Sequence, residues 1–168
     1  MNKGSEWRIW DLHLHTPSSY DYKDKSVTNE DIVNELTANG VSVVAITDHN
    51  TIDIERINEL RHLGKSKGLY VLPGIELCSE LGGSESVHFI GVLPDNADIE
   101  SIWTKIQGQC NLTKADIESK GGHERICCGF VKTCELILSL GGIITVHAGN
   151  KSNSFESIKN NLLVYSQC

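Results

Sequence analysis

Short apolar runs alternate with segments of helical period along the whole chain, and this alternation confines it to an α/β fold. RIWDLHLH, beginning at Arg8, alternates as a strand does, and the turn-rich TPSSYDYKDKS follows it. Thr28 opens a helix: Thr28 and Asp31 stand at capping-box spacing, Ile32, Val33 and Leu36 give an apolar face, and Gly40 stops it. Residues 41–47 read as a short strand buried on both faces, and 51 to about 67 as a second helix broken off at Gly68. Strands are expected over 69–77, interrupted at Pro73-Gly74, and over 87–93. Helices are expected over 98–106 and about 126–140, then the strand IITVH and a last helical segment over 154–163. The polar stretch 107–125 reads as a long loop or a poorly formed helix. The expectation is a single domain with about five strands in a mainly parallel sheet.

Composition narrows the function. The 168 residues carry a net charge of -7 and a pI near 5.4, so a broad basic face that tracks a nucleic-acid backbone by charge alone is not expected. Any phosphate binding must come from local cations. The longest apolar run, VSVVAI, is far short of the roughly 20 residues of a membrane span, and MNKGSEWRIWDLH lacks the apolar core of a signal peptide. A soluble, cytoplasmic protein with no membrane partner is expected. The cysteines, Cys78, Cys110, Cys127, Cys128, Cys134 and Cys168, contain no CxxC pair and read as reduced thiols. His123 and Cys127, one helical turn apart, come nearest to a structural zinc spacing; ordinary buried thiols are the plainer reading.

The side chains able to do chemistry fall in a pattern. Asp11, His13 and His15 are spaced by two on one strand, so they are expected to share a face, and two such imidazoles can converge on one metal. The next apolar strand ends in Thr47-Asp48-His49-Asn50, the third in Gly74-Ile75-Glu76, and the fifth in Val146-His147-Ala148-Gly149. Taken singly, His49 or His147 is an ordinary loop histidine and Glu76 a solvated acid. Four strand ends that all deliver imidazole or carboxylate form a site, because parallel α/β folds assemble active sites at that edge. His88, in phase with Ile90 and Val92, points with an apolar face, as a core histidine or an inward ligand does. His62 and His123 read as surface residues. Several imidazoles with a carboxylate able to bridge suit two or three divalent ions of zinc, manganese or iron. Such ions activate water and clamp the oxygens of a phosphoryl displacement. The chain has no GxSxG elbow, no P-loop and no GxGxxG after a strand.

DLHLHT, TDHN, GIE, VHFIGV and VHAG, in that order over residues 8–149, resemble the PHP (polymerase and histidinol phosphatase) superfamily of metal-dependent phosphoesterases and nucleases. GSEWRIWDLHLHTPSSY and HAGNKSNSFESI are similar, more narrowly, to the N-terminal PHP domain of TrlF-type proteins, where it precedes an AAA or SMC-like ATPase region. The resemblance implies a distorted (β/α)7 barrel, of which residues 1–168 would supply about five of seven strands. It implies that His13 and His15 bind a first metal, that Glu76 bridges two metals, that His49 and His88 serve the second, and that His147 serves a third or shared one. Asp48 is then a partner that orients its neighbour. The further acid that many PHP domains place after HxH falls at Tyr20 or Asp21, with Asp21 favoured. Catalytic roles fall to His15, Glu76 and His147, with His15 or His147 assisting proton transfer.

PHP domains finish with a late Asp-x-His, and after His147 this sequence has neither aspartate nor histidine. The chain is accordingly expected to be a portion of a longer protein or a natural short form. Its substrate is expected to be a phosphate ester, with nucleic acid reached through a longer parent chain. A partial barrel would leave sheet edges open to self-association. The alternative function is a catalytically incomplete, metal-stabilised binding or interaction module. Shared metals with bonds of about 2.0–2.2 Å require His13, His15, Glu76 and His147 to lie within about 8 Å of one another.

Overall fold

The computed structural model describes residues 7–82, 85–118 and 126–146. Among them no helix is long and apolar enough to cross a membrane. β1 (Ile9–Leu14), β2 (Val41–Ile46) and the start of β3 (Tyr70–Gly82) run parallel, linked through α1 (Asn29–Ala38) and α2 (Ile54–Lys65). Thr28 caps α1 as expected: it accepts the Asp31 N–H, and the Asp31 carboxylate accepts the Thr28 N–H in return. β4 (Glu85–Val92), α3 (Ile99–Cys110), α4 (Lys114–Ile117), β5 (Ile126–Gly129), α5 (Phe130–Ser139) and β6 (Ile143–Val146) follow. The strand order is β1-β2-β3-β4-β6, with β5 against β3, in a curled half-barrel sheet.

Three expectations are corrected. The sheet is mixed, because β3–β4 and β4–β6 are antiparallel. Only two residues separate β3 from β4, and a parallel crossover needs a dozen or more. Residues 126–129 are a sixth strand instead of the start of a helix. β5 pairs with Cys78, Ser79 and Glu80 on the edge of β3 that β2 has already left, and Gly129, in extended backbone, turns the chain into α5. β3, finally, runs through Pro73-Gly74 without interruption. Proline is tolerated there because β2 pairs with β3 as far as Pro73 and β4 takes over from Gly74. Of the segment 107–125, α3 extends to Cys110, Asn111 closes it in the left-handed conformation, and α4 adds one turn. The helix expected over 154–163 and the residue His123 lie outside the described residues; His62 is exposed on α2, as expected.

The outer face of the sheet buries the main core, where Ile57, Ile75, Leu77, Phe89 and Ile137 are wholly enclosed by the helices. Each such side chain contributes about 1.5–3 kcal/mol over its exposed state. The inner face has only a small apolar floor of Ala45, Ile90 and Val92, flanked by Leu12 and Leu72. Strand alternation therefore sends the apolar residues out to the helices and leaves the inner face to polar ones. At the outer edge, Ile9 and Trp10 of β1 and Trp7 before it are exposed.

Gly74 is where this arrangement has no slack. A Cβ built there would stand 2.9 Å from the Gly91 carbonyl oxygen and 3.0 Å from that of Ile46, both backbone atoms of neighbouring strands. Gly74→Ala must spread β2 and β4 apart, two residues before Glu76. It is expected to cost about 1–3 kcal/mol, read as a lower midpoint in thermal or urea unfolding; an unchanged midpoint would refute this packing.

Candidate metal centre

The inner face begins at β1, where the pairing with β2 slips: Asp11 lies opposite Val44 but Leu14 opposite Ile46, three residues against two. This bulge breaks the alternation. Leu12 consequently packs on the inner floor and Leu14 on the outer core, although simple alternation would put both on one side. Beyond the bulge His13 and His15 converge, with Nε2 atoms 3.0 Å apart. Asp11, expected on their face, is separated from them, and its carboxylate accepts the His13 backbone N–H at 3.2 Å.

Glu76 is the centre of the cluster. It is 2% exposed, and its Oε2 lies 2.8 Å from Nε2 of both His13 and His15 while its Oε1 lies 2.9 Å from Nδ1 of His88. His49 enters from the end of β2, its Nε2 3.7 Å from Glu76 Oε2. An isolated bridge between His49 and Glu76 fixes that approach, with the Asn50 N–H donating to the Glu76 carbonyl and the Glu76 N–H to that of Asp48. Asp21 closes the outer side: Oδ1 is 3.6 Å from His15 Nδ1 and Oδ2 is 3.7 Å from His49 Nε2. Tyr20, beside it, is exposed.

Three overlapping groups result, each with ligand atoms within 4.8 Å of one another: His13, His15 and Glu76; His15, Asp21 and His49; and His49, Glu76 and His88. Six of the seven residues singled out as metal ligands from the sequence thus converge. The seventh, His147, lies outside the described residues. Nitrogen and carboxylate donors in threes are the donor set that zinc, manganese and iron prefer. The first group has a further property. Its three atoms are mutually 2.8–3.0 Å apart, and an imidazole nitrogen offers one proton or one lone pair, so hydrogen bonds cannot serve every edge of that triangle. A single cation facing all three would.

The charges follow from burial and contact. Burial alone would raise the Glu76 carboxyl, but hydrogen bonds with His13, His15 and His88 outweigh it and hold the group far below the usual carboxylate range. Burial opposes a charged His88 as well, yet hydrogen bonds with Cys78 and Glu76 prevail and push it up to about 10. His49 is driven down to about 4, first by burial, with His15 adding to it. Asp21, despite partial burial, is lowered by its hydrogen bond with Ser19 and by the two histidines it faces.

Asp48 reaches across to the loop that follows β1. It is buried, and its two oxygens accept the backbone N–H and the hydroxyl of Thr16, the latter at 2.7 Å. It thereby ties the residue after His15 to the end of β2, and burial pushes it up to about 6. Sequence reading missed the small hydroxyl residues in TPSSY that make these ties, because serine and threonine in a turn have many ordinary uses. Cys78, Cys110, Cys128 and Cys134 are buried thiols, and the His123–Cys127 spacing lies outside what the structure describes.

No protein-family model matches the chain. A 5'-3' exoribonuclease from Haemophilus influenzae is 30% identical over 83 residues, which are 49% of this chain and 28% of that protein. The chain therefore matches well under a third of that relative's length. Among solved structures, an amidohydrolase from Chromobacterium violaceum, with sulfate and no metal bound, superposes with a TM-score of 0.63 at 14% identity, over 94% of this chain and 73% of that one. The two chains share a fold. A candidate metal-dependent phosphoesterase from Bifidobacterium adolescentis aligns over 80% of this chain and 51% of its own, at 23% identity and a TM-score of 0.43.

Thr16→Val keeps the side chain's shape and removes the hydroxyl, leaving a buried carboxylate oxygen short of a partner. Destabilisation by about 1–3 kcal/mol is expected in urea unfolding, with Thr16→Ser nearer the wild type. Equal midpoints for valine and wild type would show that the Asp48 tie is not formed.

Proposed function

We propose that this chain is the N-terminal portion of a PHP-type metal-dependent phosphoesterase domain. The observation that carries this reading is the buried Glu76, whose Oε2 faces His13, His15 and His49 and whose Oε1 faces His88. His13, His15 and Glu76 would hold one divalent ion, and His49, Glu76 and His88 a second. Asp21 would complete the outer position between His15 and His49. Val146 pairs with Phe89, next to His88, and the ligand candidate His147 follows Val146 in the chain. When bound, zinc, manganese or iron would supply Lewis acidity at a phosphate ester and an activated water at neutral pH.

The chain's own residues do the rest. Glu76 keeps its charge despite burial, so it presents an anion to both neighbouring groups. His15 presents Nε2 toward Glu76 and Nδ1 toward Asp21, so with an ion held at Nε2 the ring can keep a proton at Nδ1 facing Asp21 as long as the outer position is not filled through that nitrogen. The exoribonuclease relative supports a nucleic-acid substrate over a small phosphomonoester, and the TrlF-like opening supports a nucleic-acid-processing ATPase as the parent protein. A second reading has an observation of its own: Ile9 and Trp10 of β1 and Trp7 before it are exposed. On that reading the cluster stabilises a module that binds a partner or a second copy.

Elemental analysis of the purified protein separates the two, with two or three ions per chain expected for the phosphoesterase and one or none for the module. Chelation should lower the unfolding midpoint, since ligands from separate strands are held together by the ion. With Mn²⁺ added, slow hydrolysis of a phosphodiester or an RNA oligonucleotide is expected from these 168 residues, and none from Glu76→Gln. Activity untouched by that substitution and by chelator would overturn the assignment.

Uptake should also depend on pH. A His88 that titrates near 10 must release its proton to become a ligand, so affinity should rise with pH by up to about tenfold per unit between 6 and 9. Calorimetry in two buffers of different ionisation heat reads the released proton directly; no buffer dependence would exclude His88 from the ligand set.

A further inference from the structure

Asp21 is placed on a loop, and its side chain is 34% exposed, so it needs something to aim it. Ser19 does so by geometry. It is wholly buried, its Oγ donates to Asp21 Oδ1 at 2.6 Å, and the same Oγ accepts the His49 backbone N–H at 3.2 Å. The polarity of this relay is fixed. A backbone N–H can only donate, so the hydroxyl oxygen receives it and the one hydroxyl proton is left for Asp21. Ser19 is itself held at both backbone groups: its N–H donates to the Thr16 carbonyl at 2.9 Å, and its carbonyl accepts from Lys25 Nζ and from the Tyr22 N–H. Lys25 Nζ also reaches the Pro17 carbonyl at 2.9 Å, which fastens the turn from both sides.

We infer that Ser19 is a positioning residue that holds Asp21 over His15 and His49 as the carboxylate arm of the outer ion position. The inference rests on the metal reading above and extends it to a residue that touches neither ion nor substrate. The hydroxyl couples two ligand candidates, since one oxygen sets both the carboxylate of Asp21 and the backbone of His49. A free aspartate in this turn would sample solvent rotamers; the relay spends that freedom at folding instead of at binding.

The test is a double-mutant cycle on the full chain, with Ser19→Ala, Asp21→Ala and the pair, titrated with Co²⁺ by calorimetry and by the visible spectrum of the bound ion. Ser19→Ala should weaken one class of Co²⁺ site by about tenfold and alter its spectrum. Asp21→Ala should weaken the same class at least as much, and the pair should match Asp21→Ala alone. Ser19→Cys keeps the size with a weaker donor; it should give a smaller loss, and it takes the place of the alanine variant if that one does not fold. Wild-type affinity and spectrum in the Ser19 variants, or losses that simply add, would overturn the inference while leaving the metal reading intact. A wild type that binds no Co²⁺ would overturn both.

Discussion

A carboxylate held ionised inside a folded chain is the constraint on which the rest of this structure depends. Glu76 is removed from water and must be compensated, and the imidazoles of His13, His15 and His88 compensate it. His13 and His15 come from β1, His49 from the end of β2 and His88 from β4, so one side chain's electrostatics oblige three strands to keep their relative positions. The large outer core supplies the stability for this. The thin inner floor leaves the space in which it happens.

β3 makes the convergence possible by changing partners along its length. It pairs with β2 through Pro73, meets His49 at Glu76 and pairs with β5 from Cys78, all on one edge, while β4 follows the other edge from Gly74. The gap between the end of β2 and the start of β5 admits the Asp48–Asn50 segment and lets His49 turn inward. The missing side chain at Gly74 lets the strands close up just before the gap opens. Local backbone geometry and site geometry are thus the same problem here.

Much of this was legible in the sequence, and the reason is periodicity. HxH, TDHN after an apolar run, and His88 in phase with Ile90 each follow from period-two alternation or from the end of an apolar run, and these positions converge; Glu76, expected at a strand's C-terminal end, instead lies within β3, which continues to Gly82. Asp21 was legible only through family resemblance, because a loop acid has no period. What escaped was set by partners distant in sequence. The strand at Ile126–Gly129 exists because β3 has an open edge there, and nothing within ICCG distinguishes it from the helix that follows. Thr16 and Ser19 escaped for the same reason, since their roles appear only once Asp48 and Asp21 have been brought beside them.

The bulge in β1 acts as a joint between two phases of one strand. Ile9 lies opposite Val41 and Leu14 opposite Ile46, five residues on each strand, because an offset at Ile9 and Trp10 is cancelled by the opposite one between Asp11 and Leu14, and Leu12 and Leu14 fall on different faces. Asp11 belongs to this joint, since its carboxylate accepts the His13 N–H, and loss of a single residue between Asp11 and Leu14 would leave the offset at Ile9 and Trp10 uncompensated. The spacing of this edge strand, and with it the reach of His13 and His15, is therefore a matter of chain length as much as of residue type.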